Sequence, residues 1–382
     1  EILRCLVGSE MCIRDRSKNK YKIIAEIGYT IDGKRKRKTE IFEGTKKQAE
    51  TREFEIKQQY AKGGFVVDSK NMTFEEYGKF FIRNYCEGNI GAKTLAGYES
   101  MLEKINGYLG NWQLKSIETF TLLELYKKLK KGTRKDVVTN NTILHYYNLI
   151  NLMFTQAVKW KLLEVNPNTD IPRPKKEKHL AEYYDLDQIH ILLNGLSNEC
   201  LKYQALIILA LDSGARRSEI LALTWNDIDF DTKVLTINKS LDVIKGEFVE
   251  KATKNDTSTR KMVLTDATIE VLKAYKDELI LSNNWQESNK LFLAKDGKPM
   301  YPTTCGKIFQ KVAVKYGLPK INFHSLRHSS ASLQIALGVH TKLIQERMGH
   351  SSMAVTTGIY SHIFQANRTE VANKLNGALT VN

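Results

Sequence analysis

The sequence predicts a mainly α-helical protein of the α+β class, with a small three-stranded sheet plus a helix, a four-helix bundle and a mixed α/β C-terminal domain. Three observations favour this class. Two β-rich runs near the N-terminus flank Asp32-Gly33, a dipeptide typical of tight hairpin turns. The middle of the chain repeats apolar residues at spacings of three and four, as amphipathic helices do. Beyond a proline-rich stretch, short strand-like runs mix with helical ones, and helices are predicted from about Thr303 onward.

The composition indicates a globular protein with a polyanionic partner. The 382 residues give room for two or three domains, and 42% hydrophobic residues suffice to pack their cores. With 58 Lys and Arg against 43 Asp and Glu the formal charge is +15, which favours binding to a nucleic acid.

Several protein classes are excluded. The longest apolar stretches, such as Ala205–Leu211, fall well short of the ~20 residues that span a bilayer, so no membrane partner is expected. The five cysteines are an odd, scattered set without metal-ligand spacing, which argues against a disulfide framework and structural zinc. We therefore expect a protein of the reduced cytoplasm.

The N-terminal part divides into an excluded segment and a small basic unit. Residues 1–16 show no continuing pattern and resemble the translation of a library adapter, so we expect them to be extraneous or disordered. Residues 17–66 combine the hairpin with a helix over Thr45–Tyr60. A run of five cations beside the hairpin turn is typical of a solvated loop, but it also fits a sheet that presents cations to DNA. These candidate DNA-binding residues are Lys34, Arg35, Lys36, Arg37 and Lys38.

Residues 71–165 are predicted to form a helical domain. Thr73 followed by Glu76 is a capping box at the start of its first helix. Two later helices carry apolar stripes that we interpret as core. The stripes are Leu95, Tyr98, Leu102, Ile105 and Leu109 in one, and Ile143, Tyr147, Ile150, Phe154 and Ala157 in the other.

A linker is predicted over 166–180, because Pro167, Pro172 and Pro174 lie close together and are followed by lysines. The C-terminal domain then covers 181–382. Its first helices are predicted at Asp185–Leu193 and Tyr203–Leu211, and two strands surround a polar loop. These strands are Lys233–Asn238 and Lys261–Leu264.

Four short segments of the last domain carry the candidate chemistry. They read SGARRSEI at 213–220, TKNDTSTRKMVL at 253–264, HSLRH at 324–328 and GHSSMAVTTGIY at 349–360. None is specific alone, and each residue has a structural explanation when it is taken singly. Arg216 could pair with Glu219, His324 could cap its own helix, and Tyr360 could serve packing. Their order and spacing together are informative.

Together the segments resemble the tyrosine recombinase family of phage and conjugative-element integrases, over the chain from Lys18 to the C-terminus. The family's T-G-x-R-x-x-E box is present as Ser213 to Glu219, where the flanking Gly and Glu select Arg216 over Arg217. The resemblance implies an arm-type DNA-binding domain at 17–66, a SAM-like core-binding domain at 71–165 and a catalytic domain at 181–382. It implies as catalytic residues Arg216, Lys254, His324, Arg327, His350 and the nucleophile Tyr360, with Glu219 as structural support.

The lysine has alternatives, because Asn255-Asp256 follows Lys254 where a Lys-Thr-Lys type run is common. Lys251 and Lys261 are less favoured holders of its role.

The chemistry of these residue types is consistent with strand exchange. Arginine forks can clamp a phosphate whose charge grows during attack, and histidines can take the tyrosine proton. We expect no metal, ATP or other cofactor, since the sequence has no carboxylate cluster and no Walker loop.

The resemblance implies a site-specific recombinase that integrates or excises a phage or conjugative element through a 3′-phosphotyrosine. Expected partners are double-stranded DNA attachment sites, further copies of the chain in a tetramer on DNA, and also an excision factor and a host DNA-bending protein. The expected location is the cytoplasm of a bacterial host, at the nucleoid during action. A chromosome-dimer resolvase, a type IB topoisomerase and a catalytically silent DNA-binding regulator are the alternatives. The unit at 17–66 argues against the chromosome-dimer resolvase, and the presence of all six catalytic residue types argues against the silent regulator.

Overall fold

The computed structural model describes residues 14–17, 20–29, 35–60, 71–131, 138–177, 182–252, 259–285 and 289–349. The chain divides into two compact units, one up to Glu177 and one from Lys178. Helices predominate and the sheets are small, which confirms the predicted fold class. None of the helices in these ranges has the length and apolar character needed to cross a membrane.

The N-terminal sheet is antiparallel, in the order β1, β2, β3. Strand β2 (Lys20–Tyr29) pairs with β3 (Arg35–Glu43), so the predicted hairpin is present, although its turn lies outside the described residues. Strand β1 (Arg14–Ser17) pairs with the other edge of β2. The prediction excluded residues up to 16 from the fold, and for 14–16 the structure differs. The reason is that the free edge of β2 offers hydrogen-bonding groups to any extended neighbour. Helix α1 (Lys46–Tyr60) follows.

The helical part contains the four predicted α-helices. They are α2 (Phe74–Phe81), α3 (Ala92–Leu109), α4 (Thr119–Lys131) and α5 (Asn140–Lys159). The Thr73 hydroxyl accepts the N–H of Glu76 at 3.3 Å and the Glu76 carboxylate accepts the N–H of Thr73 at 2.9 Å, which confirms the capping box. The predicted stripe of α5 is buried throughout, and that of α3 is buried or half-buried. A π-helical turn, Ile82–Cys86, extends α2.

The first part of the predicted linker packs against the helical part. Ile171 is buried in the helical core, and its carbonyl accepts the Tyr147 hydroxyl at 3.0 Å. Asn168 is fully buried and its side chain accepts the Tyr126 hydroxyl at 2.7 Å. The chain therefore stays fixed to this unit past residue 166, where the linker was predicted to begin.

The second unit is mixed α/β. Its helices before the sheet are α6 (Leu186–Leu196), α7 (Leu201–Ser213) and α8 (Arg217–Ala222). A three-stranded antiparallel sheet follows, in the order β4 (Ile228–Asp229), β5 (Val234–Ile237), β8 (Arg260–Val263). The last described helices are α9 (Asp266–Leu281), α10 (Pro302–Lys315), α11 (Ser325–Ala336) and α12 (Thr341–Met348).

A second hairpin stands where a polar loop was predicted. Strands β6 (Lys239–Ile244) and β7 (Glu247–Ala252) pair antiparallel. Both residues of the turn, Lys245 and Gly246, have positive φ (51° and 89°), as a type I′ hairpin turn requires. This hairpin leads directly to the stretch 253–258, which lies outside the described residues and contains Lys254.

Candidate active site

Arg216 lies at the junction between α7 and α8. Helix α7 ends at Ser213, and Gly214 reverses the chain in the left-handed conformation (φ 58°) that glycine adopts without strain. A Cβ at position 214 would also lie 2.8 Å from the sulfur of Met348, so glycine is required for space as well. Arg216 then forms the N-cap of α8.

Glu219 fixes Arg216 through both of its carboxylate oxygens. Oε2 accepts the main-chain N–H of Arg216 at 2.9 Å, and Oε1 accepts Nη1 of its guanidinium at 2.8 Å. The Glu219 side chain is buried, whereas 38% of the Arg216 side chain is exposed. Burial alone would raise the pKa of Glu219, but hydrogen bonds and charge from Arg260, and then from Arg216, hold that pKa below its ordinary value. Arg216 is thus oriented while part of its side chain remains open to a ligand.

Arg327 reaches the same junction from α11. That helix begins at Ser325 with His324 as its N-cap residue; the His324 side chain caps no N–H, whereas the side-chain oxygen of Asn322 accepts the N–H of Ser325 at 3.1 Å. Arg327 lies in the first turn, is 3% exposed, and donates from Nη1 to the carbonyl of Gly214 at 2.8 Å. The two arginines of the predicted set are therefore joined through the turn that precedes Arg216.

His324 stands one turn before Arg327 and retains an exposed surface. Its pKa is lowered, first by partial desolvation and then by the positive charges of Arg327, Arg216 and Arg217. His324 meets the ring of His328 edge to face, with 5.5 Å between centroids. Desolvation, followed by His324 and Arg327, lowers the pKa of His328 to about 4. The lowered pKa of His324 favours its neutral form, which can accept a proton.

Helix α12 brings a third segment to this point. It ends at Met348, Gly349 follows as its C-cap in the left-handed conformation (φ 64°), and the Gly349 carbonyl accepts Nη2 of Arg216 at 3.1 Å. Arg347 anchors the helix, since its Nη2 donates to the Asp212 carboxylate at 2.6 Å and its Nη1 to the Val263 carbonyl at 3.0 Å. The end of α12 is thereby tied to both α7 and β8.

The structure brings together part of the predicted site. Arg216, Glu219, His324 and Arg327 cluster, and Gly349 immediately precedes His350 in the chain. Arg217 is exposed. Three predicted catalytic residues lie outside the described residues, namely Lys254, His350 and Tyr360.

The two less favoured lysines lie on strands that the structure describes. Lys251 on β7 lies 3.9 Å from the carboxylate of Asp242 on β6, and Lys261 is exposed on β8. The choice of Lys254 among these lysines stays a prediction. In the N-terminal basic run, Lys34 lies outside the described residues and Arg35, Lys36, Arg37 and Lys38 belong to β3, so its role in binding DNA also stays a prediction.

No metal centre is formed by the residues that the structure describes, where no group of three or more His, Cys, Asp or Glu side chains is placed to hold an ion. The expectation that the reaction needs no metal or cofactor stays a prediction. What the described residues do offer is a set of cationic donors around one point, and such donors stabilise an anionic phosphate.

Two residues of this site, Arg260 and His328, were not predicted from the sequence. Arg260 lies on β8, 8% exposed, and is bonded to Glu219. The alternation of the strand offered a signal, because Arg260 shares the inward face with buried Met262 while Lys261 and Val263 point outward. His328 follows Arg327 directly, and the four-residue spacing from His324 on one helix predicts their contact.

Two sequence profiles match this chain. The profile described as the phage integrase family covers residues 182–367, and the profile described as the phage integrase SAM-like domain covers residues 79–171. The chain belongs to the phage integrase family of tyrosine recombinases. Members of this family are DNA-cleaving and rejoining enzymes, and of the residues predicted for that chemistry the described part of this recombinase brings Arg216, His324 and Arg327 together.

Curated relatives cover nearly the whole recombinase. It is 26% identical to a "Tyrosine recombinase XerC-like" protein of Caldanaerobacter subterraneus subsp. tengcongensis, over 94% of this chain and 96% of the relative. It is 24% identical to the "ICEBs1 integrase" of Bacillus subtilis, over 97% of this chain and 100% of the relative.

A solved structure supports the recombinase fold. A variant of the Tn1549 transposon integrase (residues 82–397 of that protein), solved in complex with a circular intermediate DNA, matches with a TM-score of 0.66. The alignment covers 79% of this chain and 99% of that structure, at 22% identity.

Proposed function

We propose that this recombinase is the integrase of a mobile element, which cuts and rejoins attachment-site DNA through Tyr360. The placement of Arg216, His324 and Arg327 around one point, with Gly349 ahead of His350, is the observation that carries the proposal. Such a point is suited to a phosphate, because two guanidinium groups lie beside it and Arg216 is open to solvent.

The two arginines supply the charge stabilisation. Attack on a phosphodiester adds negative charge to its non-bridging oxygens, and guanidinium groups remain protonated at any working pH. Arg216 is held by Glu219 and Gly349, and Arg327 by Gly214, so both are oriented before DNA binds. Preorganisation of this kind lowers the barrier without a reorganisation cost during the reaction.

Tyr360 is assigned as the nucleophile. Its phenolic oxygen attacks the phosphorus, its proton passes to a neutral histidine, and the 5′ oxygen leaves with a proton that we assign to Lys254. The bond formed is a 3′-phosphotyrosine and the bond broken is the phosphorus–5′-oxygen bond. A 5′-hydroxyl from another strand then attacks that phosphate and releases the tyrosine. One phosphodiester is lost and one is made, so no external energy source is needed.

The partners follow from this chemistry. Each chain carries one Tyr360 and recombination of two duplexes breaks four strands, so we assign four protomers to the complex on DNA. The solved complex of the Tn1549 integrase with a circular intermediate DNA supports an attachment site as substrate. An excision factor and a host DNA-bending protein belong to the proposal as partners, and the place of action is the bacterial nucleoid.

An integrase is favoured over a chromosome-dimer resolvase. The three-stranded sheet with α1 precedes the SAM-like part and fits the arm-binding domain that the resemblance implies. The full-length match to the ICEBs1 integrase supports this choice. The match to the XerC-like protein is of similar extent and keeps the resolvase as the second candidate.

The test is Tyr360→Phe, which removes one hydroxyl and keeps the ring. The substrate is a duplex of the core site, the part of the attachment site where the strands are cut, with a nick close to the cleavage point. It should trap wild-type protein on DNA, because the short fragment released by cleavage diffuses away and cannot be rejoined. The variant should bind the same DNA with wild-type affinity and give no covalent band. A covalent band from Tyr360→Phe would mean that another residue is the nucleophile.

A further inference from the structure

We propose that Arg260 is a positioning residue for strand cleavage, which sets Arg216 and the end of α12 relative to each other through Glu219 and the main chain of Arg347. The inference rests on the proposed function and adds a residue to it. Arg260 itself is not placed to touch DNA, since its side chain is only 6% exposed.

Two hydrogen bonds define its position. Nη2 of Arg260 donates to Oε2 of Glu219 at 2.8 Å, and Nε donates to the carbonyl of Arg347 at 2.8 Å. The first bond reaches back 41 residues to the arginine box, and the second reaches forward 87 residues to the helix before His350. One guanidinium thus joins two parts of the active site that are distant in sequence.

Glu219 serves two arginines, and this sharing affects the charge at Arg216. With Arg260 present, one buried carboxylate is balanced by a buried guanidinium, and the charge of Arg216 remains available to a phosphate. Without Arg260, Glu219 would be neutralised by Arg216 alone. Arg216 would then be drawn toward the carboxylate, and the desolvated pair would attract the phosphate less strongly.

The contact with α12 gives the second effect. Gly349 packs so closely on Arg260 that a Cβ at position 349 would lie 2.8 Å from Nη1 of the arginine. The carbonyl of Gly349 in turn accepts Nη2 of Arg216 at 3.1 Å. Arg260 therefore supports the main-chain turn that both contacts Arg216 and leads into His350.

Lysine cannot replace this arrangement. A guanidinium presents Nε and Nη donors in a fixed plane, which allows bonds to Glu219 and to Arg347 in two directions. An ammonium on a flexible stem keeps the charge but cannot hold both acceptors in that geometry. Arg260→Lys therefore separates positioning from charge.

The experiment compares the rate of covalent attachment on the nicked core-site substrate for wild type, Arg260→Lys, Arg216→Lys and the double variant. Leu272→Ala, in the buried core of α9, is the control for lost stability. We expect Arg260→Lys to slow attachment by about 10–100-fold, the range found when a residue that orients a metal ligand is lost, with the affinity for the core site unchanged. In the Arg216→Lys background the same change should cost a clearly smaller factor, since the part of the effect that passes through Arg216 is already lost.

Each outcome bears on a different claim. The positioning role is wrong if Arg260→Lys attaches to DNA as fast as wild type. It is also wrong if Arg260→Lys slows attachment by the same factor in the wild-type and Arg216→Lys backgrounds, or if Leu272→Ala slows attachment as much at the same melting temperature. If wild type does not attach, the recombinase function itself fails. Should Arg260→Lys not fold, Arg260→Met with Glu219→Gln removes both buried charges together, and wild-type cleavage by that pair would also overturn the inference.

Discussion

Replacing Arg216 by lysine is the most direct test of the proposal that Arg216 and Arg327 bind the phosphate that is attacked. The change keeps the positive charge but removes the planar fork. In the structure that fork donates from Nη1 to Glu219 and from Nη2 to Gly349, and these two bonds fix its direction. An ammonium has one nitrogen on a flexible stem, so it cannot keep both bonds and also place two parallel donors on a phosphate.

The magnitudes distinguish a catalytic loss from a folding loss. The Arg216 side chain is 38% exposed, so its ion pair is screened and losing its geometry should cost about 0–1 kcal/mol of the free energy of unfolding. Removing one preorganised donor from a developing anion typically costs about 10²–10³ in rate. Arg216→Lys should thus stay folded and bind the core site, yet attach to DNA about 10²–10³ more slowly.

The matched control is Arg217→Ala, the neighbouring arginine, whose side chain is exposed. Its effect on the attachment rate should be small, because only its distant charge reaches His324. Gel assays that follow the covalent protein–DNA band over time on the nicked substrate measure both rates. Equal damage from the two variants would refute the choice of Arg216 and the reasoning from its contacts.

Two further predictions concern acid stability and the N-terminal unit. Because burial lowers the pKa of His328 to about 4, against about 6.5 in the unfolded chain, the unfolded state binds the extra proton as pH falls from 6.5 to 4. The free energy of unfolding should fall over that window, by clearly less than the about 3 kcal/mol of a fully buried histidine, because His328 is only half-buried and solvent screens part of the effect. His328→Phe should flatten the dependence of the melting temperature on pH, and equal slopes for the two proteins would contradict this. Deleting residues 17–66 should leave core-site attachment intact but abolish integration, since a tethered second contact raises the local concentration of the core site. A truncated protein that integrates normally would contradict this assignment. Within that unit, alanine at Lys34, Arg35 and Lys36 should make the binding of arm-site DNA less sensitive to salt, because each phosphate contact lowers log K by about 0.9 for every tenfold increase in salt concentration.

Local patterns were sufficient to predict most helices. Thr73 and Glu76 form the predicted capping box because both partners lie within one turn, and the α5 stripe is buried because its spacing places it on one face. The hairpin β6–β7 was missed because its strands mix polar and apolar residues, which resembles a loop in composition. Its Lys245-Gly246 turn was the available signal.

The sequence predicts a set of candidate site residues but not their geometry. Family boxes predict Arg216, His324 and Arg327, and the structure joins the two arginines through the Gly214 turn, with His324 close enough for their charges to lower its pKa. Arg260 was missed because its two partners lie 41 and 87 residues away, and no local pattern encodes such a contact. Ile171 was assigned to a linker for the same reason, since prolines dominate its neighbourhood while its burial depends on helices far back in the chain.

The arginines of this site hold their neighbours largely by main-chain oxygens. Arg216 uses the carbonyl of Gly349, Arg260 that of Arg347, Arg327 that of Gly214, and Arg347 those of Asp212 and Val263. A carbonyl is present whatever side chain the residue carries, so these links make no demand on the side chain of Val263, whereas the glycines are fixed by space and Asp212 and Arg347 by their own ion pair. The exposed residues of α12, Lys342, Leu343 and Glu346, take no part in these links, so they can be changed, for example to alter protein contacts or solubility, while Arg216 and Arg327 keep their positions.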